Sequence, residues 1–208
     1  MIETFLEWFL VLGYTGIVIM MLLESTFFPI PSEIIMIPAG VLAARGDMDP
    51  WAAIACGVIG SCLGALVNYY LAVWLGRPFL LAYGKFVLIP PPRLEKVEGF
   101  FRRHGEISTF VGRLIPGVRH WISFPAGLAG MNMGRFLLFT GVGSSIWSAI
   151  LLAIGYWAGK EMKSFSLAEI QLLWSRYAAE ITWGLVLFCL VVVGLYMLWY
   201  RRRKMAER

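Results

Sequence analysis

Residues 50 to 76 contain no charged side chain, and neither do residues 136 to 159 or 181 to 200. A helix rises about 1.5 Å per residue, so each run reaches at least roughly 30 Å, the thickness of a bilayer's hydrocarbon core. All three are read as transmembrane helices. The whole chain agrees: 59% of its 208 residues are apolar and only 15% charged, with a mean hydropathy of +0.73, outside the range of a soluble globular domain.

The remaining apolar residues come in shorter runs, 8 to 23 and 34 to 44, then 107 to 112 and 120 to 134. Eleven helical residues reach only about 17 Å. Each pair of runs brackets a polar break, ESTFFPIPSE (24 to 33) in the first and RLIPGVR (113 to 119) in the second. Pro29, Pro31, Pro116 and Gly117 interrupt helix there. The pattern predicts two re-entrant hairpins whose broken backbone faces protein or a wet cavity, since lipid cannot satisfy it. For residues 1 to 23 a full span stays open as the alternative. An amphipathic helix at the membrane surface is expected before each hairpin: Leu94, Val97, Phe100 and Phe101 share a face in RLEKVEGFFRRH, and Ile2, Phe5, Leu6 and Phe9 do so near the start.

The same order of parts recurs. PAG stands at 38 to 40 and 125 to 127, GVIGS (57 to 61) is echoed by GVGSS (141 to 145), and both long runs end sixteen residues after a shared glycine. The fold class expected is all-α and polytopic, with two repeats (1 to 78 and 90 to 160). Residues 1 to 160 form the main unit, and 161 to 208 supply a connection, a last span and a basic tail. An odd number of spans between the repeats inverts the second. With RRRKMAER cytoplasmic, twelve Lys and Arg fall inside, against Arg45, Lys160, Lys163 and Arg176 outside, as the positive-inside rule requires. The net charge of +5 is therefore read as membrane orientation and not as nucleic-acid binding. Glu3 and Glu7 stand where a cleavable signal would carry basic residues, so the N-terminus is expected to be retained. Cys56, Cys62 and Cys189 lie in apolar runs and show no metal-ligand spacing.

Four ionisable residues fall at the breaks: Glu24, Glu33, Arg113 and Arg119. Charge at membrane depth marks a functional pathway by default, although ion pairs that merely join two hairpins would use the same residues. Arg113 and Arg119 flank Pro116 and Gly117, and a turn there would let both guanidinium forks meet one phosphate. Carboxyl groups withdrawn from water hold a proton more readily, which fits Glu24 and Glu33 for proton exchange; a neighbouring arginine would act against it. His120 is either a further member of this site or a packing residue. Glycines 57, 60, 64 and 141 read as points of close helix approach, Asn68 as an interhelical hydrogen bond, and the tryptophans as interfacial anchors.

The run E-x4-P-x-P-x-E (24 to 33) followed by PAG, with GRLIPGVR (112 to 119), FPAGLAGM (124 to 131) and a glycine-rich span, resembles the DedA family of bacterial membrane proteins, related to VTT-domain lipid scramblases. The resemblance covers roughly residues 10 to 160. It implies opposed re-entrant hairpins in the bacterial cytoplasmic (inner) membrane and lipid transport, with undecaprenyl phosphate a substrate of some members and the proton-motive force a driver. It also implies essential acids at Glu24 and Glu33, where some members place aspartate second, and essential arginines at Arg113 and Arg119. The leading expectation is thus a non-enzymatic flippase for a polyprenyl phosphate or phospholipid, working with protons and no cofactor. No G-x4-G-K-[ST] stretch exists for nucleotide hydrolysis. The alternatives are a small-ion or drug/proton exchanger using the same carboxylates, and a lipid-modifying enzyme, for which His104, His120 and Ser144 give no assembled set.

Overall fold

The computed structural model describes residues 2–26, 31–76, 91–115, 118–161, 183–184 and 186–198. Pro29, Pro116 and Gly117, the connection 77–90 and the basic tail lie outside the described residues, as do the side chains of Ile2, Phe5, Leu6, Phe9, Leu94 and Val97. The described residues form helices and no strand. They are α1 (Ile2–Ser25), α2 (Glu33–Arg45), α3 (Pro50–Leu71, extended by a π-helical turn over Ala72–Gly76), α4 (Pro91–Leu114), α5 (Val118–Trp121), α6 (Ser123–Leu128) and α7 (Met133–Glu161). A last apolar helix, α8, covers Val186–Leu198.

Two of these are long and apolar enough to cross a membrane: Pro50–Gly76, of 27 residues, and Met133–Lys160, of 28. Both match expected spans. The third expected span is seen as α8 and, before it, as the helical residues 183 and 184; residues 181, 182, 185, 199 and 200 lie outside the described residues. Local chemistry sets the element ends. Asp49 caps α3 by accepting the Ala52 N–H at 2.7 Å, with Pro50 in the first turn, where its missing N–H costs nothing. At the other end of the preceding helix, Gly46 adopts a left-handed φ of 85° and stops α2.

Two breaks divide the first arms. Gly13 (φ 52°) splits α1, and His104 (φ −131°, ψ 18°) splits α4 at the end of RLEKVEGFFRRH. Phe100 and Phe101 do not share an environment: Phe101 is buried with Tyr69 and Phe136, whereas Phe100 is exposed. Past the second break, residues 120 to 134 are not one return helix. They form α5, a turn at Ile122, α6 and a left-handed turn at Gly130 (φ 61°). Pro125 lacks a backbone donor and fits only the first turn of a new helix, which is where α6 places it.

Packing is crosswise. The closest helix pairs are α2 with α7 and α1 with α3, followed by α3 with α7, α4 with α7 and α3 with α6. Gly40 of the first PAG and Gly155 of α7 bring two backbones into contact, so a Cβ on either would enter the carbonyl of Leu152 or Ile37. The second PAG repeats this on the other long helix, where a Cβ on Gly127 would enter Tyr69 O and stand 2.9 Å from Ala72 Cβ. Gly60 likewise admits α1 against α3, and Gly143 admits α4 against α7. Gly141 is not tight; its nearest neighbour would be Cys62 Sγ at 3.9 Å.

Contacts at the two ends pair distant residues. At one end the Asp49 N–H donates to Tyr14 Oη at 2.7 Å, and Gly159 lies on Val41. At the other, Arg135 Nη1 pairs with Glu106 Oε1 at 2.8 Å, and Tyr69 Oη donates to Met131 O at 2.5 Å. Outward apolar residues such as Ile59, Leu63, Leu138 and Val142 cover the flanks, and Trp51, Trp74, Trp157 and Trp183 are exposed. That is the surface a bilayer solvates.

Candidate functional site

Helical periodicity delivers the charged groups inward. On α1 the buried positions 17, 20, 21 and 24 form one stripe, so Glu24 lies behind Ile17 and Met21 at the helix's inner end. On α4 the buried series Phe101, Gly105, Thr109 and Arg113 advances four residues at a time and ends in the guanidinium. Residues Ser144, Trp147, Ser148 and Leu151 make the facing stripe at the middle of α7. Arg119 enters from the short α5, and Ser32 from just before α2.

These residues meet around one small cavity. Arg119 Nη2 is ion-paired with Glu24 Oε1 and donates to Ser32 Oγ at 2.6 Å. Ser32 Oγ also accepts from Trp147 Nε1 at 2.9 Å, and the Arg119 guanidinium lies over the Trp147 ring, 4.8 Å from its centre. The other Glu24 oxygen accepts from Ser25 Oγ at 3.0 Å, while His120 Nδ1 stands 3.2 Å from Glu24 O and 3.6 Å from Oε1. Asn68 ties the breaks to α3, its amide facing Ser25 O at 2.9 Å, Thr26 O at 3.2 Å and His120 O at 3.4 Å.

Arg113 is held differently. Its Nη2 donates to Ser123 Oγ at 2.8 Å, but among the described residues its buried Nε has no hydrogen-bond partner and no carboxylate pairs with it. The cavity between the two arginines, of about 10 Å³, is completed by Ser61 and Ser144. That is close to the smallest volume one water can occupy. Its wall therefore carries two guanidinium groups against one carboxylate, an excess of positive charge in a place shielded from solvent.

Of the residues expected at the site, Glu24, Arg113, Arg119 and His120 come together here. Glu33 does not line the cavity. It stands in the first turn of α2, partly buried, with no ion pair among the described residues. Pro31 is exposed, just before Ser32. Sequence reasoning missed Ser32, Ser123 and Trp147. Trp147 had a legible signal, because an interfacial anchor belongs near a helix end and residue 147 is central in α7.

The fold and this occluded centre define an all-helical, multi-pass membrane protein with paired arginines at its middle. The VTT domain matches residues 30–157, and the chain belongs to that family, the DedA family of membrane proteins. It is 31% identical to undecaprenyl phosphate transporter A of Bacillus subtilis (strain 168) over 100% of this chain and 98% of the relative. Undecaprenyl phosphate transporter A of Staphylococcus aureus (strain NCTC 8325 / PS 47) is 29% identical over 69% of this chain and 72% of its own. A Lactococcus lactis subsp. cremoris (strain MG1363) protein named alkaline phosphatase-like is 34% identical over 69% of each. No solved structure matches the chain.

Proposed function

We propose that this protein carries a lipid phosphate, with undecaprenyl phosphate as the leading candidate, between the leaflets of the bacterial cytoplasmic membrane, and that residues 1 to 160 form the carrier. The observation that carries this reading is Arg113, a buried cation whose only hydrogen-bond partner among the described residues is a serine, facing a polar cavity. An unpaired buried charge costs several kcal/mol. An arriving anion offsets that cost, and a guanidinium matches phosphate oxygens with parallel donors. The relatives' printed names supply the lipid class.

Glu24 couples this site to protons. In the closed state it occupies Arg119 as phosphate would. Protonation of Glu24 releases Arg119, and a phosphate monoester, with about −1.5 to −2 charges near neutrality, then balances the two arginines. Proton and phosphate thus enter together. The breaks belong to two re-entrant hairpins opened toward opposite faces, with the C-terminus cytoplasmic. Support comes from the end contacts: Tyr14 and Asp49 flank the first hairpin at one end, and Glu106 and Arg135 flank the second at the other. Alternating loosening of the hairpins exposes the arginines to one leaflet at a time, while the lipid's chain stays outside.

The test is transbilayer movement of polyprenyl phosphate and of phospholipid in proteoliposomes, with and without a pH gradient. Arg113→Lys and Arg119→Lys each lose the parallel donors while keeping charge, so movement should fall about 10–100-fold, the equivalent of one strong charge-assisted bond. Wild-type rates in both variants exclude the phosphate clamp. Gradient-driven cation movement that survives both substitutions would mark an exchanger, and release of inorganic phosphate would mark a lipid phosphatase.

A further inference from the structure

A second cavity, of about 440 Å³, lies between the inner half of α4, the second break and α8. That is within the range of about 300–1,000 Å³ typical of small-molecule sites. Ile107, Val111, Ile115, Val118, Val193 and Met197 give it an apolar wall. Its position relative to the charged centre is set by the chain itself. Gly112 and Ile115 of the wall flank Arg113, Val118 precedes Arg119, and Ile122 precedes Ser123, the serine that holds Arg113. The outer wall is pinned where α4 breaks: the His104 and Tyr196 rings meet edge to face at 6.0 Å, and Phe100 lies 5.2 Å from His104.

We infer that this groove seats the first isoprenoid units of the lipid whose phosphate meets Arg113 and Arg119, and that α8 is its outer wall. The inference rests on the lipid-phosphate reading above. A phosphate held at the break has its ester oxygen leading away from the arginines, and the groove is the apolar volume that begins beside them. The site is amphipathic in the order the ligand is: cation pair, break, then aliphatic wall. Branched Ile and Val side chains provide an irregular surface suited to a methyl-branched chain, and because lipid tails are as apolar as this wall the preference comes from close packing and not from leaving water. The C-terminal segment therefore acts in substrate choice as well as in anchoring.

Two probes separate the headgroup from the chain: methyl phosphate, which carries no isoprene unit, and a long polyprenyl phosphate. Both are measured by binding to the full chain in detergent. Val193→Trp fills the groove and should weaken the long probe at least 10-fold while changing the short one less than 2-fold; Arg113→Ala should weaken both. A long polyprenyl phosphate bearing a diazirine in its first isoprene units should label wild-type protein within 107–122 and 193–197, which decides the matter even if Val193→Trp does not fold. If Arg113→Ala weakens both probes but Val193→Trp neither, the phosphate reading stands and the groove assignment is overturned. Labelling confined to α2 or α7, or equal labelling of the groove by a diazirine phosphatidylcholine, also overturns it. If wild-type protein binds neither probe, the phosphate reading and this inference fail together.

Discussion

Ser32 occupies the N-cap position of α2 but makes no capping bond. Its hydroxyl instead accepts from Arg119 and Trp147, so a local preference worth about 1 kcal/mol is set aside to organise the charged centre. Ser32→Ala should cost about 1–3 kcal/mol, because the buried indole N–H loses its acceptor while Arg119 keeps Glu24. Thermal unfolding in detergent measures this; unchanged stability would mean that Ser32 does not organise the centre. The two acids separate in the same way. Glu24→Gln keeps the size of the side chain but removes its charge and its titration, so phosphate should still bind Arg119 while transport loses its response to a pH gradient. Glu33→Gln, lying outside the cavity wall, should leave phosphate affinity within about 2-fold, since single substitutions away from a contact have small effects. Gradient dependence retained by Glu24→Gln would remove that acid from coupling. Collapse of its fold would leave it an ion-pair partner only.

Helix α2 lies on α7 with glycine facing glycine, and that contact governs how firmly α2 is held. Gly40→Val and Gly155→Val each drive a side chain into opposing backbone, which cannot yield as a flexible side chain would. Each should destabilise by more than the about 1–3 kcal/mol of ordinary overpacking, whereas Gly141→Ala should be tolerated. Melting temperatures of the three variants test the contrast, and equal losses would dismiss it. These glycines also show what the sequence makes legible. Small residues at helical spacing announce close approach, so Gly57, Gly60 and Gly64 could be read as packing positions, and each is tight. Nothing in the spacing distinguishes Gly141, whose nearest neighbour would be Cys62 Sγ at an ordinary contact distance, from Gly143, which meets Arg113 Cβ at 2.7 Å. That choice depends on how α7 is rotated against α4, a tertiary fact. The charged residues at the breaks were equally plain, because apolar length exposes any charge within it. Their partners Ser32 and Ser123 were not, since serine is common in such helices and gains meaning only once two distant segments meet.

Distances along the chain and through space together constrain how the molecule sits in a bilayer. Tyr14 and Asp49 touch across 35 positions, and Arg135 and Glu106 across 29. Each intervening stretch must leave and return to the end where it began. The long helix α3 joins the two ends, running from Asp49 at one to Tyr69 beside Met131 at the other. In the carrier proposed above the second hairpin opens opposite to the first, which is the geometry that alternating access needs, since one fixed site must be reached from each side in turn. This predicts a specific labelling pattern. With Cys56, Cys62 and Cys189 replaced, single cysteines at Arg103 and Arg135 should react with a membrane-impermeant maleimide only from the cytoplasmic side, and cysteines at Arg45 and Lys160 only from the opposite side. Arg135→Cys sacrifices one exposed ion pair, which is worth about 0–1 kcal/mol, so the probe should not itself disturb the fold. Reaction of positions 103 and 135 from opposite faces would make residues 105 to 134 a full span, placing both repeats in one orientation and leaving the paired arginines with access to a single leaflet. A carrier cannot work that way, so the labelling experiment tests the transport cycle as well as the topology.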